Sequence, residues 1–227
     1  MRESMGESPS VPTLTPTLTP TQHAALAKIA CGISRPGGVS LLCGPRGVGK
    51  TTVLAQLASA RQLHSLSVEI RDFAAWLGMA ESGCPDFPDV VAADDAHLAT
   101  DGGIAMLLAS CRKRQPTARV VLAGEGRLLT LVSRDSRVEQ AIHLRASLRP
   151  CTLVESVGML AATLGTTATD QSVHAAVATI HEIAAGIPAA MLRLAELAVV
   201  VAASKPDGTI TPADIETIHR RLSPQAA

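Results

Sequence analysis

The sequence predicts an α/β fold: a parallel five-stranded sheet with helices on both faces, followed by a small all-helical subdomain. Three observations predict it. Short apolar runs alternate with helically spaced segments over residues 21–150, the pattern of parallel strands covered on both sides. Beyond Pro150 the apolar residues keep helical spacing only. The core material is aliphatic, because 47% of the 227 residues are hydrophobic while aromatics make up 1%. A chain of this length buries one sizeable core, or one medium domain with a small satellite.

Each element has its own signal. Residues 1–20 end in Pro12-Thr-Leu-Thr-Pro16-Thr-Leu-Thr-Pro20, a four-residue repeat whose prolines remove amide donors. They predict a disordered or extended arm. A helix follows from about Thr21 to Ile33, stopped by Pro36-Gly37-Gly38. Val39–Cys43 is a short apolar run before glycines and suits a buried parallel strand. Lys50–Arg61 has helical spacing, with Val53, Leu54, Leu57 and Ala58 on one face. Further strands are expected at Leu66–Ile70, Pro88–Asp94, Ala118–Ala123 and Gln140–Leu144, with a helix at Ile104–Arg114. In the C-terminal part, Thr152-Leu-Val-Glu155 is a capping box. Asp170 can cap a second helix running to about Ala185, and Gly186-Ile-Pro188 ends it and opens a third. Lys205-Pro-Asp-Gly208 is a turn, and Thr211-Pro212 starts a fourth helix. The expected organisation is an arm over 1–20, an α/β domain over 21–150 and a helical subdomain over 151–223.

Composition excludes several functions. Twenty basic and 20 acidic residues give a formal net charge of zero, which rules out a polybasic coat and an acidic solvating tail. Phe73, Phe87 and Trp76 are too few for a base-stacking platform. The five cysteines form no CxxC and read as small buried hydrophobes in a reducing cytoplasm. The N-terminus has no apolar signal-peptide core. The most apolar stretch, Ile187–Ala203, carries Pro188, Arg193 and Glu196 and is too short to span a bilayer, so direct membrane insertion is not expected. Charge is uneven. Residues 72–101 hold seven acids and no Lys or Arg, and residues 112–149 hold nine bases and three acids. The basic strip from Arg112 to Arg149 reads as solvated surface, as a face for a neighbouring subunit, or as a phosphate-binding strip.

The strongest motif is Gly44-Pro45-Arg46-Gly47-Val48-Gly49-Lys50-Thr51, followed by Thr52. It fits G-x-x-x-x-G-K-[ST] between an apolar strand and an amphipathic helix. Its glycines let backbone amides curl around an anion, and the helix starting near Lys50 directs its positive end there. Lys50 can reach the β- and γ-phosphates of a nucleotide, and the Thr51 hydroxyl can ligate Mg²⁺. Val90-Val-Ala-Ala-Asp94 is an apolar strand ending in an acid suited to the metal, and the adjacent Asp95 can face an attacking water. His97 reads either as a helix-start residue or as a polar contact in the site.

In the order of these motifs the chain resembles the AAA+ ATPases, P-loop NTPases of the ASCE type. More narrowly it is similar to the ExeA/GspA-type ATPases of general secretion and the related transposition helper ATPases. Leu18-Thr-Pro20-Thr-Gln-His-Ala-Ala-Leu looks like the lead-in helix of that family, and Asp94-Asp-Ala-His97 stands where it has Asp-Glu-Ala-Gln. Val121-Leu-Ala-Gly124-Glu125 resembles its strand ending in Gly-Gln, and Gly186-Ile-Pro188 resembles the Gly-x-Pro-Arg opening of its lid helix. The resemblance implies that Glu125 occupies the position where a polar side chain reads the γ-phosphate. It implies that Arg134 and Arg137 are finger candidates for a neighbouring subunit's ATP, and that Pro188 lies at the nucleotide. Ala189 replaces the lid arginine, and Arg193, one turn beyond, is the candidate substitute.

The function so predicted is ATP binding with Mg²⁺ and hydrolysis, weak in view of Asp95, Glu125 and Ala189. Hydrolysis would drive assembly or switching of a cytoplasmic homo-oligomer with a protein partner. It would be a secretion-type ATPase without membrane or peptidoglycan-binding parts. The alternatives are a DNA-associated transposition-helper-like ATPase, not favoured by the neutral charge, and a nucleotide-dependent adaptor with little or no turnover.

Overall fold

A computed structural model of the chain describes residues 18–60, 65–82, 87–161, 163–164, 171–206 and 208–222. Five parallel strands form one sheet: β1 (Val39–Cys43), β2 (Val68–Asp72), β3 (Val90–Asp94), β4 (Arg119–Gly124) and β5 (Ile142–Ser147), in the order β2-β3-β4-β1-β5. β1 and β3 are buried along their whole length, as continuous apolar runs in a doubly covered sheet should be.

Alternate residues of each strand feed two cores. Val39, Leu41 and Cys43 of β1, with Val91, Ala93, Val120 and Leu122, pack under α3 (Phe73–Ser82), α4 (Gly103–Arg114), α5 (Gly126–Arg134) and α6 (Ser136–Ala141). Leu42, Val90, Ala92, Val121 and Ala123 point the other way, under α1 (Pro20–Ile33) and α2 (Lys50–Ser59). β4 lies between β3 and β1, so the loops after all three strands meet at one edge of the sheet. That edge, at the carboxyl ends of parallel strands, is where α/β sheets bind ligands.

Four helices form a third core: α7 (Leu153–Ala161), α8 (Gln171–Ile183), α9 (Pro188–Ala203) and α10 (Pro212–Leu222). The Thr152–Glu155 capping box is formed, with Glu155 N donating to Thr152 Oγ1 at 3.3 Å and Thr152 N donating to the Glu155 carboxylate at 2.9 Å. Thr211 and Asp214 build the same arrangement before α10. No helix among the described residues is long and apolar enough to cross a membrane.

Several local expectations need correction. β2 lies two residues later than the apolar pattern suggests, and β5 starts two residues later and ends three later. Pairing fixes β2, because Val68 sits opposite Val90 and Asp72 opposite Asp94. Gln140 and Ala141 finish α6, which Asp135 starts by accepting from the Arg137 and Val138 amides, and this delays β5. Helix α3 was not expected. It stands on Phe73 and Trp76, one turn apart and both buried, with Trp76 Nε1 donating to Ala92 O at 3.0 Å. Leu18 and Thr19, placed in the arm by the proline repeat, are buried, and Thr19 caps α1. Cys31 is exposed, unlike buried Cys43, Cys111 and Cys151. Burial pushes the Cys111 thiol up to about 11. Residues 1–17, Cys84 and the Asp170 cap lie outside the described residues.

Candidate nucleotide-binding site

The glycine loop, the candidate phosphate cradle, begins where β1 ends. Gly47 and Gly49 have φ of +78° and +99°, backbone that side chains rarely adopt. A Cβ on Gly49 would also lie 2.3 Å from Gln22 Nε2. Gly49 caps α2 without a side-chain bond, so the first amides of α2 face the loop's concave side. Lys50 is buried, and its ammonium donates to the Gly44 and Pro45 carbonyls at 3.0 Å each. The Thr51 hydroxyl donates to Asp94 Oδ2 at 2.5 Å, and Asp95 N donates to Asp94 Oδ1 at 2.9 Å. Sheet order makes this contact possible, because the chain end of β3 comes level with that of β1 across β4. A hydroxyl and a carboxylate side by side are hard oxygen donors that fit Mg²⁺, which takes few protein ligands and keeps the rest for phosphate and water.

Asp95 has φ of +52° and opens a 3-10 turn over Ala96–Leu98; Asp is one of the few non-glycine residues that visits this region readily. Its carboxylate is 53% exposed and lies 3.7 Å from His97 Nδ1. The other edge of the same ring, Nε2, lies 3.7 Å from Glu125 Oε1. His97 is only 15% exposed, and its Nδ1 is buried without a hydrogen-bond partner. Glu125 thus flanks the imidazole on the edge opposite Asp95.

The subdomain of α7–α10 closes the other side. Ala189 N donates to Gly47 O at 3.1 Å, so the start of α9 rests on the cradle itself. Gln22 Nε2 donates to Val48 O at 3.1 Å, tying α1 to the same loop. Glu155 fastens α7 to α1, accepting from Thr21 N at 2.8 Å and Thr21 Oγ1 at 2.6 Å. Burial pushes the Glu155 carboxyl up, but the bonds from Thr21 and Thr152 outweigh it and hold the group below its ordinary range. Between these walls lies a cavity of about 1090 Å³. Its lining combines polar groups, Lys50, Thr51, Asp94, Asp95 and Glu125, with apolar ones, Leu18, Pro20, Val154, Met159 and Leu192.

Of the residues singled out from sequence, Arg46, Gly47, Gly49, Lys50, Thr51, Thr52, Asp94, Asp95, Glu125 and Pro188 line this cavity. Gly44, Pro45 and Val48 serve through their carbonyls. Arg193 is exposed and not among the lining residues, because α9 directs Pro188, Ala189 and Leu192 inward. Arg134 and Arg137 line a separate cleft of about 460 Å³ beside Asp101 and Asp135, and are 67% and 91% exposed. The Arg112–Arg149 strip is partly committed: Arg119 Nε donates to Ile33 O at 2.6 Å and Arg145 pairs with Glu139 at 3.2 Å. Sequence reasoning missed Thr19, Gln22 and the α1-facing role of Glu155. Thr19-x-x-Gln22 is itself a capping-box pattern, and that signal was available.

No protein-family model matches the chain, and no curated protein sequence does. Solved structures do match. The ORC1 protein of Aeropyrum pernix in complex with DNA has a TM-score of 0.66 at 16% identity, over 93% of this chain and 68% of that one. Hsp104, captured with ATPγS and casein, has a TM-score of 0.64 at 16% identity over 88% of this chain. The chain spans 42% of Hsp104's length. The RuvB Holliday junction branch migration motor of Thermotoga maritima gives 0.61 at 16% identity, over 89% and 68%. Identities this low speak for architecture alone: a parallel α/β sheet followed by a helical part, the fold these solved structures share with the chain.

Proposed function

We propose that this chain binds ATP in the cavity between sheet edge and helical subdomain and hydrolyses it slowly to switch its own assembly with a protein partner. The observation that carries the reading is the Thr51–Asp94 contact beside the buried Lys50, at the mouth of a left-handed glycine loop. The apolar residues of the cavity lining suit the base and the polar ones the triphosphate. Lys50 exchanges the Gly44 and Pro45 carbonyls for β- and γ-phosphate oxygens. Thr51 and Asp94 would hold Mg²⁺, which supplies charge neutralisation at the transferring phosphoryl group. Asp95 orients a water whose oxygen attacks the γ-phosphorus in line while the bond to the β,γ-bridging oxygen breaks.

Arg134 and Arg137, exposed and outside the chain's own cavity, suit a contribution to the ATP of a second copy. The secretion-type assignment rests on sequence motifs, and a cytoplasmic location follows from the supply of ATP. A DNA-associated role is the second reading, favoured by the likeness to ORC1 in complex with DNA.

Calorimetry and phosphate release test the first reading together. Lys50→Ala should abolish uptake of Mg²⁺-ATP, and Asp95→Asn should retain uptake while turnover falls about a hundredfold. Undiminished phosphate release by the Asp95 variant would refute the assignment. Steady Lys50-dependent turnover would remove the adaptor alternative, and ATP-dependent retention of duplex DNA at low salt would support the second reading.

A further inference from the structure

We infer that His97 is a positioning residue for Asp95, with Glu125 as its support on the far side of the ring. The inference rests on the hydrolytic reading above.

Asp95 is one methylene shorter than a glutamate and half exposed, so nothing on its own side chain fixes the carboxylate. His97 is the group within reach that is itself fixed. Arg127 Nη1 donates to His97 O at 2.6 Å. Its backbone also packs so closely on the end of β4 that a Cβ at Gly124 would come within 2.9 Å of His97 N. The backbone that carries the ring is therefore held, the ring is largely buried, and its Nδ1, buried and unpartnered, faces Asp95 Oδ1 at 3.7 Å. An orphaned buried nitrogen beside a carboxylate favours closure into a hydrogen bond. A small rotation of Asp95 makes that bond and leaves the second carboxylate oxygen for the water. Glu125 Oε1 stands 3.7 Å from Nε2 at the opposite edge, too long for a hydrogen bond, and bounds the space into which the ring could turn. The bond from ring to carboxylate orients without transferring a proton, so its loss should slow the chemical step and leave nucleotide binding in place.

The test compares His97→Ala, His97→Gln, Asp95→Asn and the His97→Ala/Asp95→Asn double variant. Mg²⁺-ATP affinity and melting temperature are measured beside kcat. His97→Ala should keep its affinity within about threefold and lose at least about tenfold in kcat. His97→Gln, whose amide can donate to Asp95, should recover most of that loss. The double variant should be no slower than Asp95→Asn, because His97 acts through Asp95. Losses that multiply in the double variant, a glutamine without rescue, or unchanged kcat in His97→Ala would each overturn the inference. Wild-type protein that binds Mg²⁺-ATP without Lys50-dependent turnover would instead overturn the hydrolytic reading, and the inference with it.

Discussion

Replacing Glu155 by alanine should unfasten the helical subdomain from the nucleotide edge of the sheet. The carboxylate accepts from Thr21 N and Oγ1 at 2.8 and 2.6 Å and from Thr152 N and Oγ1 at 2.9 and 3.0 Å. The Thr152 pair completes a helix cap, worth about 1 kcal/mol. The Thr21 pair joins one charge to two donors at a partly exposed site, where about 1 kcal/mol for each is a reasonable net value. The expected loss is therefore about 3 kcal/mol, or a melting temperature lower by about 6–12 °C for a chain of this size. Nucleotide affinity should fall as well, because Glu155 lines the cavity and the bond to α1 sets its width. The pH dependence has a definite sign. The folded-state carboxyl lies below its ordinary value of 4.5, so the stabilisation is fully present above that value and is lost as pH falls through the lowered one. The assay is thermal unfolding of wild type and variant at several pH values, with calorimetric ATP titration. A variant that melts within about 2 °C of wild type at neutral pH would refute the claim that this carboxylate fastens the two parts.

Two further outcomes concern stability. Ser40, the second residue of β1, is fully buried with an Oγ that has no hydrogen-bond partner; Ser40→Ala should stabilise the protein by about 1 kcal/mol in denaturant unfolding, and a loss would count against an unsatisfied hydroxyl. Bonds from Lys205 and Thr211 lower the Asp214 carboxyl to about 2, so its contribution is complete above about 3.8 and disappears as pH falls toward 2. Asp214→Asn should flatten that part of the acid-unfolding curve followed by circular dichroism, and an unaltered curve would contradict the assignment.

Much of the site was legible because its chemistry is written in contiguous residues. The stretch from Gly44 to Thr51 carries its own backbone geometry, and the apolar run ending at Asp94 announces a buried strand with an acid at its tip. The Thr152–Glu155 and Thr211–Asp214 caps depend on spacing alone. Strand ends were less legible, since pairing sets register: nothing local says that Val68 must face Val90. Helix α3 has a preferred cap residue type, Asp72, just before its first residue, but that acid also ends β2, and the helix rests on Trp76, whose Nε1 donates to Ala92 O of β3. The side of α9 that lines the cavity was not legible either: Leu192 lines it, while Arg193 is exposed and outside the lining.

The sequence by itself determined the alternation of strands and helices and the glycine-rich loop between β1 and α2. These depend on periodicity and on residues whose spacing along the chain is also their spacing in space. Only the tertiary structure decided that His97 stands between Asp95 and Glu125, that Gln22 and Glu155 tie α1 to the loop and to α7, and that Arg134 and Arg137 belong to a separate cleft. The reason is strand order. β4 enters between β3 and β1, and that insertion brings together side chains that no local pattern relates.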